Sequence, residues 1–245
     1  MRAMALAALV SLAFPLAAAA QQFETEPRPK DEARPIGYLG AEPVDYRLFL
    51  LPPPAAGSPR DLNDQLTIWQ GQDASKERYD LAQVDSEFLY PRFFEAFGGT
   101  IDRTSTPALI TLLNRAMRDV SKTTFDAKGV FQRPRPYQRM PLRRVCGEDP
   151  PPKPEPTPTT GSSYPSGHTS YGWATAMILA RVRPDRTPQL LARAAEYSES
   201  RAVCAVHFPS DLEAGRLVAA AVVSRLDADP AFRADLARAR SEVGR

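Results

Sequence analysis

Residues 106–120 read TPALITLLNRAMRDV, and this stretch determines the fold class. Its apolar side chains recur with the i, i+3, i+4, i+7 spacing of an amphipathic helix, directly after a proline that suits the first helical turn. They are Leu109, Leu112, Leu113, Ala116, Met117 and Val120. Similar stripes occur before it at residues 62–69 and after it at residues 173–180, 190–197 and 212–223. No alternating strand pattern or internal repeat stands out, so we predict an all-α, single-domain helical bundle whose core is formed by these stripes.

The bulk composition is that of a folded domain. The chain has 245 residues, of which 43% are hydrophobic and 24% charged. Its 31 basic and 29 acidic residues give a net charge of +2, and no block of like charges occurs. Binding to a nucleic-acid duplex depends on such concentrated positive charge, so we expect no nucleic-acid partner.

The N-terminal residues 1–20 are typical of a secretory signal peptide. A basic start at Arg2 is followed by small and apolar residues up to a cleavage pattern that ends at Ala20. A membrane anchor is the alternative, but Pro15 and the many weakly hydrophobic alanines disfavour it. No later apolar run approaches the roughly 20 residues of a spanning helix, so we expect no membrane association. We therefore predict a periplasmic or secreted protein after cleavage near Ala20.

Two proline-rich segments organise the rest of the chain. Residues 21–59 contain the run Leu51-Pro52-Pro53-Pro54 and no sustained period, which indicates an extended N-terminal arm ahead of a helical domain at 60–245. Residues 146–160 are again rich in proline and predict a surface loop. Export would allow Cys146 and Cys204 to form a disulfide worth about 4 kcal/mol, with two free buried thiols as the alternative.

The chemistry of the chain is concentrated around its two histidines. The first, His168, lies in the run Ser-Tyr-Pro-Ser-Gly-His-Thr at 163–169, where Pro165 marks the start of a helix. The backbone N–H groups of Ser166, Gly167 and His168 would then be unpaired donors at a helix N-terminus, which attracts anions. The alternative is an ordinary capped helix start.

The second histidine, His207, lies between Arg201 and Asp211. Because Pro209 marks another helix start, Asp211 falls within its first turn and within reach of the imidazole. A carboxylate on one ring nitrogen fixes the tautomer and leaves the other nitrogen free as a nucleophile. Asp211 could otherwise serve only as a partner of the helix dipole.

A third segment, residues 128–139, contains Lys128, Arg133, Arg135 and Arg139 and no acid. Each cation taken alone is most simply explained as part of a solvated surface. Cations that surround a small dianion, a helix terminus and two histidines are, however, the groups that phosphoryl transfer requires.

Taken together, Lys128-x6-Arg135-Pro136, Pro165-Ser166-Gly167-His168 and Ser200-Arg201-x5-His207-x3-Asp211 resemble the three-part motif of one superfamily. It contains the type-2 phosphatidic acid phosphatases, the bacterial acid phosphatases and the vanadium haloperoxidases. Thr106-Pro107 and Gly172-Trp173-Ala174 also resemble the bacterial class A non-specific acid phosphatases. The likeness covers about residues 48–226.

The resemblance implies a role for each matching residue. His207 would attack phosphorus and become phosphohistidine, Asp211 would orient it, and His168 would be the general acid and then the general base. The phosphoryl oxygens would be held by Lys128, Arg135, Ser166, Gly167 and Arg201. No metal ion or other cofactor is required by this scheme. The sequence departs from the family pattern at Phe208, where a tryptophan is usual, and at Ala205.

The resemblance therefore predicts an exported acid phosphatase that acts on small-molecule phosphate esters and is inhibited by phosphate or vanadate. The alternatives are a vanadate-dependent haloperoxidase, disfavoured by the size of the chain, and a protein that binds phosphate or vanadate without turnover. A lipid-phosphate phosphatase is disfavoured because no spanning helix is present. The sequence leaves the natural substrate and a homo-oligomer open.

Overall fold

The computed structural model describes residues 25–27, 33–40, 42–148 and 162–244, and these residues form an all-α fold. Within these ranges the α-helices are α1 (Pro59–Gly71), α2 (Lys76–Val84), α3 (Phe94–Phe97), α4 (Pro107–Phe131), α5 (Pro136–Arg139), α6 (Gly167–Val182), α7 (Thr187–Val203), α8 (Pro209–Asp227) and α9 (Pro230–Val243). Extended backbone pairs in these ranges only at one isolated bridge, between Val145 and Glu148. The predicted fold class is confirmed.

Helix α6 lies at the centre of the bundle. It packs against α4, α7 and α8, and α9 packs mainly against α4 while also touching α6 and α8. The stripe predicted over residues 109–120 belongs to α4, and all six of its apolar side chains are buried. Because α4 and α6 carry Lys128 and His168 at their ends, the core positions these two residues for the site described below.

A glycine allows the close approach of α6 and α7. A Cβ atom added at Gly172 would lie 2.5 Å from the ring of Tyr197, closer than any relaxed contact. The bare backbone therefore gives the tyrosine ring its place between the two helices. Tyr197 is fully buried as a result.

The described part of the N-terminal arm is bound to the bundle by polar contacts. The backbone N–H groups of Tyr38 and Leu39 donate to the Asp119 carboxylate on α4, and the Tyr38 hydroxyl donates to Asp235 on α9 at 2.7 Å. The domain division at residue 59 stays a prediction. The predicted signal peptide and most of the proline-rich loop at 146–160 lie outside the described residues.

One stripe predicted for the core is wrong. Residues 62–69 are helical, but Leu62 and Leu66 are 56% and 54% exposed, and Trp69 is 42% exposed. The opposite face of α1 is buried instead, and it contributes Asp61 and Asp64. The reason is that guanidinium groups from a distant segment need carboxylate partners when they are taken out of water. Leaving them unpaired would cost more free energy than exposing the apolar side chains of α1.

A disulfide joins Cys146 to Cys204, so the pair is bonded. It ties the end of α7 to the loop after α5, beside a small apolar cluster that includes Ile68 and Phe208. No helix in the described part of the chain combines the length and the apolarity that a membrane crossing needs.

Candidate active site

The end of α7 explains why His207 follows Arg201 at a fixed spacing. The Ala205 N–H donates to Ala202 O and the Val206 N–H donates to Arg201 O at 3.1 Å, which is the Schellman pattern of helix termination. Ala205 takes the left-handed conformation that this motif needs, with φ of +57°. The reversal brings the His207 N–H to 3.3 Å from the Arg201 carbonyl, so the two side chains leave the backbone at neighbouring points.

The first turn of α8 lies against the start of α6. The Asp211 carboxylate accepts from the Phe208 N–H at 2.7 Å, and the Asp211 carbonyl accepts from the Ser166 N–H at 2.9 Å. A Cβ at Gly215 would lie only 2.7 Å from the Ser166 carbonyl oxygen, so only glycine fits at this crossing. Asp211, behind His207, and the loop before His168 are thus held together.

The Ser166 contact corrects one expectation. We predicted that the Ser166 N–H is an unpaired donor at the helix terminus, but it is occupied by the Asp211 carbonyl. The cause is the α6–α8 crossing, which a single sequence segment does not reveal. The Ser166 hydroxyl caps α6 by accepting from the Thr169 N–H at 3.3 Å, and Gly167 is buried in the first turn.

Both ring nitrogens of His207 have defined neighbours. Nδ1 lies 3.3 Å from Ser163 Oγ and 3.7 Å from Asp211 Oδ2, and the Ser163 hydroxyl donates to the same carboxylate oxygen at 2.6 Å. Nε2 lies 3.3 Å from Arg135 Nη1. The imidazole therefore has a carboxylate on one side and a guanidinium on the other, and it is 1% exposed.

Of the three predicted cations, Lys128 and Arg201 are buried and Arg135 is half-buried, and each donates to at least one backbone carbonyl. Lys128 Nζ donates to the carbonyl of Ser162, and Arg135 donates to the Val206 carbonyl at 2.9 Å. Arg201 donates through its Nη atoms to Ser86 Oγ and to Ala82 O. Its Nε has no hydrogen-bond partner among the residues that the structure describes. The Nη atoms of Arg201 are thus anchored, and its buried Nε–H is available to donate to a ligand.

His168 lies close enough to the three cations for their charges to shift its pKa. Burial, followed by the charges of Arg201, His207, Arg135 and Lys128, lowers the pKa of His168 well below 6.5. Its ring centroid is 6.5 Å from that of Tyr197. The structure therefore brings both histidines and all three cations into one site.

The charged groups of the site also shift each other's pKa values. Burial and the charge of Arg135 lower the pKa of Lys128 from 10.5 to about 7. Burial and the same guanidinium lower the pKa of His207 from 6.5 to about 3. Burial raises the pKa of Asp211, but its interaction with His207 and the charge of Arg133 outweigh this and lower it to about 2. A dianion bound among these groups would relieve their mutual repulsion.

The positive patch at 128–139 is divided between two tasks. Arg133 turns away from the histidines, donating to Asp211 Oδ1 at 2.7 Å and to Asp64 Oδ2 at 2.9 Å. Arg139 donates twice to Asp61, at 2.7 Å each. Lys128 and Arg135 are the cations of the patch whose charges lower the pKa values of His168 and His207.

Sequence reasoning did not assign a role to Ser163 or to the carboxylates of Asp61 and Asp64. Ser163 belongs to the 163–169 run, so its proximity to the site could have been noticed, but its contact with His207 depends on the fold. Asp61 and Asp64 lie about 70 residues before Arg133 and carry no local signal. The Phe208 ring lies 4.3 Å below the Arg133 guanidinium, so this departure from the family pattern packs against the buried ion pairs.

Within the described ranges, no group of three or more histidine, cysteine or acidic side chains is arranged to hold a metal ion. The charged groups around His207 are mainly cations. Such a site suits an oxyanion, because guanidinium and ammonium groups bind phosphate oxygens directly.

Comparison with known proteins gives matches over most of the chain. The sequence profile of the PAP2 superfamily matches residues 107–226. The chain is 32% identical to a non-specific acid phosphatase of Providencia stuartii over 211 residues, covering 84% of this chain and 83% of the relative. It is 33% identical to an acid phosphatase of Zymomonas mobilis subsp. mobilis, covering 81% and 75%, and 32% identical to a non-specific acid phosphatase of Salmonella typhimurium, covering 82% and 81%.

Proposed function

The chain belongs to the PAP2 superfamily, as an acid phosphatase of that superfamily, and from this premise we propose that it hydrolyses small phosphate monoesters through a phosphohistidine at His207, without a metal ion. The observation that carries the proposal is the environment of the His207 ring. Nε2 faces Arg135 at 3.3 Å, while Nδ1 faces Ser163 and the Asp211 carboxylate. A nucleophile directed toward cations, with a carboxylate behind it, suits attack on an anionic phosphoryl group.

In the first half of the reaction, the Nε2 lone pair of His207 forms the P–N bond and the P–O bond to the leaving group breaks. His168 gives its proton to the departing alkoxide oxygen, so an alcohol leaves. The Asp211 carboxylate stabilises the positive charge that develops on the His207 ring.

In the second half, His168 takes a proton from water, whose oxygen attacks the phosphorus of phosphohistidine. The P–N bond breaks, inorganic phosphate leaves, and His207 regains its lone pair. Lys128, Arg135 and Arg201 hold the phosphoryl oxygens through both halves, together with the Ser166 hydroxyl and the Gly167 amide. Vanadate takes the five-coordinate geometry of the transition state, and we therefore propose it as an inhibitor.

The pKa shifts support activity at acid pH. His207 must be neutral to attack, and with its pKa lowered to about 3 it stays neutral at pH 5, where an ordinary imidazole is mostly protonated. His168 must be protonated to act as the acid. The cations that lower its pKa are the ones a phosphate dianion would neutralise, so substrate binding raises the pKa of His168.

Hydrolysis of p-nitrophenyl phosphate tests the proposal with a matched pair of lysine variants on α4. We expect His207→Ala to lose activity. We expect Lys128→Met to raise KM strongly, while Lys122→Met, which removes an exposed lysine paired with Asp126, stays like wild type. Activity should be unchanged by a chelator and abolished by vanadate. Full turnover by His207→Ala would overturn the mechanism, loss of turnover with chelator would overturn metal independence, and vanadate-dependent bromide oxidation with peroxide would identify a haloperoxidase.

Export is also part of the proposal, with cleavage near Ala20 and a periplasmic or extracellular destination. The Cys146–Cys204 disulfide is in keeping with an oxidising compartment. N-terminal sequencing of the protein recovered from the periplasm or medium tests this. We expect a mature chain beginning near Gln21, and full-length protein confined to the cytoplasm would contradict it.

A further inference from the structure

The hydrogen-bonding capacity of Ser163 determines the direction of its contacts. The side chain is fully buried, and its Oγ lies 2.6 Å from Asp211 Oδ2 and 3.3 Å from His207 Nδ1. A hydroxyl has one hydrogen, and an ionised carboxylate can only accept. The hydrogen of Ser163 therefore points to Asp211, and Oγ is left to accept a hydrogen from His207 Nδ1.

The direct distance between the histidine and the carboxylate supports this reading. His207 Nδ1 and Asp211 Oδ2 are 3.7 Å apart, which is longer than a hydrogen bond. The chain Nδ1–H to Ser163 Oγ to Asp211 Oδ2 is thus the hydrogen-bonded connection between the two groups.

The other side of the imidazole leads to the same tautomer. Nε2 lies 3.3 Å from Arg135 Nη1, and a guanidinium can only donate. Nε2 must therefore present a lone pair to Arg135, while Nδ1 carries the hydrogen. Two independent contacts agree on the form in which Nε2 is the free nucleophile.

The link is held rigidly by its surroundings. The Ser163 N–H donates to the Arg133 carbonyl at 2.7 Å, and the Arg133 guanidinium donates to Asp211 Oδ1 at 2.7 Å. The Phe208 N–H donates to Asp211 Oδ2, the oxygen that also accepts from Ser163, at 2.7 Å. Asp211 is therefore fixed at both oxygens, and Ser163 is fixed through its backbone.

We propose that Ser163 is a positioning residue that links His207 to Asp211 and selects the Nδ1–H tautomer of His207. This role rests on the proposed function of His207 as the nucleophile. It assigns a task to the first serine of the 163–169 run.

The test combines a spectroscopic and a kinetic measurement on Ser163→Ala. Because the chain has only two histidines, nitrogen-15 NMR of the untagged mature protein, labelled in histidine, resolves each ring directly. In wild type we expect His207 to have a protonated Nδ1 and an unprotonated Nε2, and in Ser163→Ala a mixture of tautomers. The kcat for p-nitrophenyl phosphate should fall about tenfold to a hundredfold, the range seen when a hydrogen-bond partner that orients a metal-bound histidine is removed. KM should change little, since the cations remain.

The controls separate positioning from folding. Ser198→Ala removes another fully buried serine hydroxyl, which donates to the Ala194 carbonyl at 2.7 Å, and should keep the wild-type tautomer and kcat. Ser163→Thr restores a hydroxyl and should recover the tautomer and part of kcat. If Ser163→Thr does not fold, the spectrum of Ser163→Ala decides.

An unchanged His207 tautomer in Ser163→Ala would overturn the proposal, whether or not kcat falls, since a fall alone would indicate a structural role. The NMR result does not depend on turnover. An active His207→Ala would therefore defeat the proposed function, while the tautomer measurement would still judge the Ser163 link on its own.

Discussion

Replacing Arg133 with methionine tests the buried ion pairs behind His207. Arg133 is 5% exposed, and its Nη1 donates to Asp211 Oδ1 and to Ser210 Oγ at 2.7 Å each. Its Nη2 donates to Asp64 Oδ2 at 2.9 Å. Methionine fills a similar volume, so the main effect of Arg133→Met is to leave buried carboxylates without this cation.

The size of the loss follows from what remains. Removing one partner of a buried ion pair costs about 3–5 kcal/mol. Asp61 keeps its two contacts with Arg139, and Asp64 keeps the Ser210 N–H at 3.0 Å, so we expect the lower end, about 3 kcal/mol at pH 7. In a chain of this size that corresponds to a Tm lower by about 6–12 °C.

The pH dependence gives the prediction its sign. The charge of Arg133 helps to hold the pKa of Asp211 at about 2, below its ordinary 3.8, so the pairing stabilises the fold above pH 3.8 and is lost as pH falls toward 2. In Arg133→Met the pKa of Asp211 rises, and the carboxyl takes up a proton at a higher pH. The stability difference between the two proteins should therefore be largest at pH 7 and shrink toward pH 4.

Urea unfolding monitored by circular dichroism at pH 7, 5.5 and 4 measures this difference. Lys122→Met removes an exposed i,i+4 pair and should lower the free energy of unfolding by about 0.5 kcal/mol or less. A loss below about 1 kcal/mol for Arg133→Met at pH 7, or a difference that grows toward acid pH, would refute the reasoning.

Three further predictions follow from close contacts and charge. Gly215→Ala should lower the free energy of unfolding by about 1–3 kcal/mol and raise KM, because a Cβ 2.7 Å from the Ser166 carbonyl pushes the start of α6 away. A variant with wild-type Tm and KM would contradict this. Replacing both Cys146 and Cys204 by alanine should lower the free energy of unfolding by about 4 kcal/mol, because the disulfide is lost. Urea unfolding of this variant, measured beside the reduced wild type, tests the prediction. An unchanged urea midpoint would show that the disulfide does not stabilise the fold. When phosphate binds at pH 8, the protein should take up close to one proton, because a bound dianion raises the pKa of Lys128 from about 7. Calorimetry in buffers of different ionisation enthalpy measures this uptake. If the uptake persists in Lys128→Met, the proton belongs to a group other than Lys128.

Much of the fold could be predicted from local patterns. The stripe of α4 is read correctly because six apolar side chains share one helical face and all of them are buried. Proline at residues 107 and 209 marks the first turns of α4 and α8 as expected. Periodicity works for α4 because this helix buries its apolar side in the usual way.

Helix α1 shows where this reasoning fails. Its apolar stripe is largely exposed, while Asp61 and Asp64 are buried against Arg133 and Arg139. The energy of placing a carboxylate inside depends on a guanidinium some 70 residues away, and no local pattern encodes that partner.

The spacing of the motifs indicated which residues lie together in the candidate site, but it did not indicate the hydrogen bonds between them. The spacing of Arg201 and His207 reflects a helix ending in which Ala205 takes a left-handed conformation usually left to glycine. The Ser163 link and the occupied Ser166 amide arise where α6 and α8 cross. Both depend on tertiary contacts, so the sequence could indicate which residues meet but not which atoms pair.

The central claim is that His207 carries the phosphoryl group during turnover. Rapid mixing of His168→Ala with 2,4-dinitrophenyl phosphate tests it most directly, since this leaving group needs no proton while the intermediate lacks its base for hydrolysis. We predict that the quenched protein carries acid-labile, base-stable phosphate, that mass spectrometry locates it on His207, and that the double variant with His207→Ala carries none. Phosphate on another residue, or equal labelling of the double variant, would contradict the account.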